Sequence, residues 1–269
     1  DLLTLGRGEI ASVFGSAYEQ NGLNPSLRMP PEAVLMVDRI AEINPTGGAW
    51  GLGLIVSEKD LEPDDWYFPC HFKDDEVLAG SLVAEGCSQL LQFYLLYLGM
   101  QTETTDARFQ PVPNLGQVVR TRKQIMASSS KLIYRMEITE VGMLPTPYAK
   151  ANVDIIYEGV VVVDFKNLGL MLSEKPADDP YRMDNGELIM DNDIPTTDYK
   201  KRPALFDDFH IENFALGSIS ACFGPDYQVF EGRRIPRTPN GDLKLFSRIV
   251  EINAERFGFK GEPNLTSEY

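Results

Sequence analysis

Histidine is nearly absent from this 269-residue sequence, occurring only as His71 and His210. Cysteine occurs three times, at Cys70, Cys87 and Cys222, with no CxxC pair. Three thiols cannot build a full disulfide framework, and a reducing cytoplasm is the expected setting. Two histidines without a clustered Cys/His set leave no zinc site to expect. Cations are also few: 25 Lys and Arg face 40 Asp and Glu, for a net charge of −15. That excludes nucleic acid as the main partner, because phosphate binding needs a basic face. No apolar run is long enough to span a bilayer, so no membrane partner is expected. The opening DLLTLGRGEI has neither the cationic region nor the apolar core of a secretory signal.

What is present falls into three parts. Residues 1–172 carry dense apolar patterning. Residues 173–210 are acidic, rich in Pro and Asp and poor in aliphatics, and read as a linker running over a surface. Residues 211–269 turn apolar again, and they repeat the start of the chain. Residues 8–44 lie on 217–253 at a constant offset of 209 without a gap. Gly8, Ile10, Phe14, Gly15, Tyr18, Arg28, Pro30, Arg39, Ile40, Glu42, Ile43 and Asn44 meet identical residues. The expectation is one complete unit, a linker, and the truncated opening of a second copy. The counterpart of His71 would fall at position 280, so the chain reads as a piece of a longer tandem protein.

Within the first unit, 9–18 suggest a short helix and 33–43 a strand. GGAW at 47–50 is turn chemistry, and WGLGLIVS returns as a strand. Residues 81–98 place Leu82, Val83, Cys87, Leu90, Leu91, Tyr94, Leu95 and Leu98 at helical spacing on a wide apolar face, so this helix should be mostly buried. Strand-like runs follow at 116–126, 131–140, 148–157 and 160–165, with YEGVV at 157–161 as a hairpin turn. The order predicts an α+β domain in which a curved antiparallel sheet wraps one buried helix.

One of the two histidines stands in CHFKDDEVLAG, residues 70–80, immediately before that helix. Together with LRMPPEAVLMVDRI, TGGAWGLG, DDWYFPCHF and GSLVAEGCSQLLQFYLLYLG, this loop resembles the hotdog-fold β-hydroxyacyl-ACP dehydratases of the bacterial decanoyl dehydratase/isomerase type. The similarity spans roughly 1–172. The repeat and the acidic linker resemble the tandem dehydratase region of polyunsaturated fatty acid synthases. One departure is plain. The family usually has a Pro-Gly pair and a Gly-Asp-Pro in this loop, where this chain has Ala79-Gly80 and Lys73-Asp74-Asp75-Glu76, so an altered loop shape is expected.

The resemblance implies dehydration of a 3-hydroxyacyl thioester to a trans-2-enoyl thioester. Such a reaction needs a base for the C2 proton, and histidine titrates near neutrality. It also needs an acid for the departing hydroxyl, a task suited to a carboxyl in an apolar cavity. A backbone N–H at a helix start can meet the charge developing on the thioester oxygen. By the resemblance, His71 is the base, Gly80 supplies the N–H, and Glu85 stands at the acid position. In that family the His of one hotdog faces the acid of its neighbour, so either Glu85 or an acid from an adjacent hotdog pairs with His71. Gln89, one helical turn beyond Glu85, is placed to orient that carboxyl. Cys70, Phe72, Val77 and Gln89 are the candidate substrate-contacting residues, with Cys70 read as a small buried thiol rather than a nucleophile. Trp66, Tyr67 and Phe68 read as core or tunnel wall, and His210 as structural.

Other outcomes share these residues: isomerisation of a trans-2 to a cis-3 enoyl chain, a hotdog thioesterase, or a non-catalytic partner hotdog. No cofactor is implied beyond the phosphopantetheine arm that would bring the substrate on an acyl carrier protein. The expected partners are that carrier and an adjacent or identical hotdog. Arg120, Arg122 and Lys123, in VVRTRKQ, read either as a solvated strand face or as a docking patch for the acidic carrier.

Overall fold

The computed structural model describes residues 1–175, 202–254 and 264–268, together with the backbone of 183–184 and 187–188. Most of the acidic linker assigned to 173–210 therefore lies outside the described residues. The chain divides into two compact units. One comprises Asp1–Glu62 with Gly80–Leu188, the other Pro63–Ala79 with Ile189–Tyr269. This division differs from boundaries drawn along the sequence, because the loop that carries His71 groups with the C-terminal segment.

The first unit begins with short helices α1 (Leu2–Gly6) and α2 (Ile10–Phe14) and a 3-10 turn at Ser16–Tyr18. Its sheet uses β1 (Arg39–Asn44), β2 (Leu54–Leu61), β3 (Ala107–Pro111), β4 (Val118–Thr121), β5 (Ser130–Gly142), β6 (Tyr148–Tyr157) and β7 (Val160–Glu174). All pairings are antiparallel, in the order β1-β2-β5-β6-β7-β3, with β4 also paired to β7. β6 alternates buried and half-buried residues along its whole length. That period of two turns one face to the core. The β6–β7 turn places Glu158 and Gly159 at positive φ, as a two-residue hairpin turn demands.

That core is α4 (Gly80–Tyr97), which contacts β5, β6 and β7. Leu90, Leu91, Leu95 and Leu96 are fully buried, each contributing about 1.5–3 kcal/mol by leaving water. Close approach of helix and sheet is possible because position 86 lacks a side chain. A Cβ on Gly86 would stand 2.4–2.9 Å from the Tyr134 ring and hydroxyl. A sheet wrapped on one buried helix is the hotdog arrangement. The N-terminal helices are fixed to the helix as well. Phe14 packs edge-on against Phe93 and Tyr97, and the Tyr18 hydroxyl donates to Tyr97 O at 2.7 Å.

The strand expected over 33–43 begins only at Arg39. Upstream, Glu32–Val34 form a 3-10 turn, and Leu35–Val37 are buried without a ladder. In place of a strand partner, Met36 N donates to Gln89 Oε1 at 2.7 Å, and Gln89 Nε2 donates to Val34 O just upstream at 2.9 Å.

A two-residue ladder joins β8 (Met183–Asp184) to β9 (Glu187–Leu188). The second unit contains the single-turn helix α3 (Tyr67–Cys70), α5 (Asp208–Ala215), α6 (Ile219–Phe223) and the hairpin β10 (Arg248–Asn253) with β11 (Asn264–Glu268). Its local structures mirror those of the N-terminal segment. α6 falls 209 residues after α2, and the 3-10 turn Gly241–Leu243 falls 209 after Glu32–Val34. The register break between Ile40 and Glu42 in β1 recurs between Ile249 and Glu251 in β10. The Arg39–Glu58 ion pair across β1–β2 has its counterpart in Arg248–Glu268. His210 sits in the first turn of α5, closing a capping box with Asp207.

Candidate active site

His71 is the residue that ends α3. Its N–H donates to Phe68 O at 3.1 Å, and its own carbonyl accepts from Val77 N at 2.9 Å. Between them the chain turns sharply, with Phe72 and Asp75 exchanging backbone hydrogen bonds at 2.9 and 3.0 Å. The departure from Gly-Asp-Pro is accommodated here. Asp74 takes φ 61°, a left-handed position that Asp tolerates better than most residues.

The turn brings the imidazole back onto its own loop. His71 Nδ1 lies 3.2 Å from Val77 O. A carbonyl can only accept, so Nδ1 carries a proton in this contact and Nε2 is the ring nitrogen turned to other partners. The ring is half-buried and lies against Phe72, with centroids 3.8 Å apart and planes tilted by 30°. Cys70 and Val77 are buried on either side. Tyr67 and Phe68 are buried in the same segment.

Gly80, Glu85 and Gln89 are on α4, in the first unit. Gly80 opens the helix, where backbone N–H groups have no intrahelical acceptor and the dipole favours negative charge. A Cβ at Gly80 would meet nothing within 4 Å, and its φ does not require glycine. Neither packing nor backbone strain within the chain explains this glycine.

Glu85 is half-buried one and a half turns along. Gln89 Nε2 donates to Glu85 Oε1 at 3.0 Å. Gln89 is fully buried, and its amide cannot flip without breaking its bonds to Val34 O and Met36 N. The Glu85 carboxyl therefore meets a donor of fixed direction and keeps its other oxygen for a different partner.

The structure thus gathers Cys70, His71, Phe72 and Val77 in one unit and Gly80, Glu85 and Gln89 in the other. Sequence reasoning did not reach the Val77 carbonyl as the group that sets the His71 tautomer. A backbone atom leaves no residue-type signal.

Arg120 and its neighbours lie on and beside β4, all of whose residues are exposed. Arg122 is ion-paired with buried Asp164, and Lys123 with Glu158. The bond to Glu158 holds the Lys123 ammonium above its usual range. Two of the three cations in this patch thus have a carboxylate already. No group of His, Cys, Asp and Glu able to hold a metal occurs among the described residues. No helix there is long and apolar enough to cross a membrane.

Comparison with known proteins places these residues in context. The FabA-like domain family matches residues 29–166, which include His71, Gly80, Glu85 and Gln89. A polyunsaturated fatty acid synthase component of Thraustochytrium sp. is 46% identical over an alignment of 354 positions, covering 94% of this chain. The chain spans only 24% of that relative's length. Among solved structures, the dehydratase heterocomplex ApeI:P of Xenorhabdus doucetiae is similar at 14% identity. It has a TM-score of 0.42, over 54% of this chain and 86% of that one. A hypothetical thioesterase of Streptococcus pneumoniae with coenzyme A is similar at 13% identity. Its TM-score is 0.36, over 51% of this chain and 86% of that one.

Proposed function

For a chain that belongs to the FabA-like domain family, we propose dehydration of 3-hydroxyacyl thioesters, delivered on an acyl carrier protein within a polyunsaturated fatty acid synthase. The observation that carries this reading is the His71 imidazole, whose Nδ1 is engaged by Val77 O at 3.2 Å. That leaves Nε2 as a base of fixed direction.

In the proposed reaction His71 Nε2 takes the proton from C2. The C2 electron pair forms the double bond to C3, and the C3–O bond breaks. A carboxylic acid delivers the proton with which that hydroxyl leaves as water. The Gly80 N–H, at the positive end of α4, meets negative charge building on the thioester oxygen. Glu85, held by Gln89, is the acid this chain offers. An adjacent hotdog or a second copy is the alternative source. The carrier's phosphopantetheine is the only prosthetic group the scheme needs, and the setting is cytoplasmic.

Residues 211–269 are proposed to open a second hotdog repeat, since their local elements mirror those at the N-terminus. A groove of about 580 Å³ in the second unit is lined by Phe206, Phe214, Phe223, Tyr227 and Leu265 among others. Phe223 and Tyr227 are the counterparts of Phe14 and Tyr18, which rest on α4 in the first unit. The groove is proposed to take the central helix of that second repeat.

The test is incubation with a 3-hydroxyacyl thioester mimic, following water loss by mass spectrometry, with His71→Ala in parallel. Removing the base should cost on the order of 10²–10⁴-fold in rate. Undiminished turnover by His71→Ala would overturn the assignment. Release of free acid and thiol would identify a thioesterase instead.

A further inference from the structure

The loop that carries His71 is not held by its own hydrogen bonds alone. α3 is a single turn of four residues. Its terminal carbonyls have no intrahelical donor. Within the same unit, Asn240 supplies them. Asn240 N donates to Cys70 O at 2.9 Å, and Asn240 Nδ2 lies 3.0 Å from Pro69 O and 3.2 Å from Cys70 O. The residue is 8% exposed, so these bonds form away from water. The next residue is fitted just as closely. A Cβ on Gly241, which sits at φ 53°, would come within 2.9 Å of Cys70 Sγ. Lys73 Nζ donates to Leu216 O, and Asp75 pairs with Arg234.

The Cys70 carbonyl belongs to the same rigid peptide plane as the His71 N–H. Asn240 holds one edge of that plane with two donors while Phe68 O holds the other. The plane sets the direction in which the His71 side chain leaves the backbone, and Val77 O then sets its rotation. At the offset of the internal repeat, position 240 corresponds to Pro31. Proline has neither an N–H nor a side-chain amide, so this clamp is not a shared feature of the two copies.

We propose that Asn240 is a positioning residue for the base, fixing the Cys70–His71 peptide so that the imidazole keeps its Nδ1–H tautomer and a constant aim. The kinetic arm of the test rests on the dehydratase reading; the spectroscopic arm does not. Asn240→Ala keeps the backbone donor and removes the amide. Asn240→Asp keeps the shape but places an acceptor against two carbonyls. Both should lower kcat on a 3-hydroxyacyl thioester mimic by about 10- to 100-fold, the scale expected for a misaimed group, with KM changed less than about twofold. With ¹⁵N-labelled histidine in a His210→Gln background, His71 gives the one imidazole signal. At pH 8 the parent chain should show Nδ1 protonated, and the Asn240 variants should move toward Nε2–H.

A shift of tautomer supports the inference even if no substrate is turned over, which would then count against the dehydratase reading alone. An unchanged tautomer in Asn240→Ala and Asn240→Asp, or an unchanged kcat in an active parent, overturns it. If the alanine variant does not fold, Asn240→Ser, which keeps a small polar group, is read by the same spectrum.

Discussion

Two glycines of α4 separate structure from function. Gly86 faces the Tyr134 ring, and alanine there would force the ring to move against a packed sheet. Alanine normally stabilises a helix by about 0.5–1 kcal/mol over glycine. Overpacking a core costs about 1–3 kcal/mol, so overpacking wins and Gly86→Ala should melt at lower temperature. Gly80 is the opposite case. Its missing Cβ faces open space, so Gly80→Ala should melt at the same temperature or slightly higher. On the proposed mechanism its turnover of a 3-hydroxyacyl thioester should nevertheless fall, because a methyl group would then stand where the thioester oxygen approaches the N–H. Thermal melts and kinetics on both variants check this. A Gly80→Ala variant with full activity would remove the assigned clearance role.

At the scale of elements, Glu231 ties the start of α6 to the end of the 3-10 turn Pro225–Phe230 that follows it. One carboxylate oxygen accepts from Ser218 Oγ at 2.6 Å, Ser220 N at 2.8 Å and Ser220 Oγ at 2.8 Å. Those bonds, the Ser218 hydroxyl first, hold the carboxyl down at about 2. A lowered folded value means the contribution is complete above the unfolded carboxylate value, roughly 4.3. It is lost as pH falls from there toward 2. Glu231 is exposed, so solvent and salt screen the effect. Stability of the parent chain should drop more steeply than that of Glu231→Gln between pH 5 and 3, as measured by urea titration. Parallel curves for the two chains would show that the three bonds contribute nothing net.

The elements also show what the pattern of residues could and could not reveal. α4 was legible because its leucines and aromatics keep a 3.6-residue period over five turns. β5 and β6 were legible from alternation. β3 (Ala107–Pro111) was not, since it is a short strand ending in proline that exists only by pairing with Leu170–Glu174. Those partner residues lie past 165, where Lys166, Asn167 and Gly169 interrupt the apolar run of β7. Leu35–Val37 read as strand because they are apolar. Only the position of Gln89 across the core decides that their backbone bonds a side chain instead. Likewise the motif singled out His71 and Glu85, whereas Val77 O and Asn240 depend on chain reversal and long-range packing that no local spacing encodes.

At the scale of the whole molecule, the segment after the linker is tied through Asn240 to the loop that carries His71, within one unit. The internal repeat made the segment visible in the sequence, but the repeat alone does not say what occupies its apolar groove. In the first unit Phe14 and Tyr18 cover Phe93 and Tyr97 of the central helix. The matching Phe223 and Tyr227 line a cavity of about 580 Å³, large enough for several side chains of a helix. Aromatic surface of that kind gains about 25 cal/mol per Å² on leaving water. The present chain should therefore bind an environment-sensitive naphthalene-sulfonate dye, and Phe223→Ala should bind less. If the groove seats the central helix of the proposed second repeat, a chain extended through that helix should bind little. It should also lose stability on Phe223→Ala by about 3–5 kcal/mol, the usual range for an aromatic removed from a core. Equal dye binding by the two lengths, with Phe223→Ala neutral in both, would mean that the groove is not the seat of a second central helix.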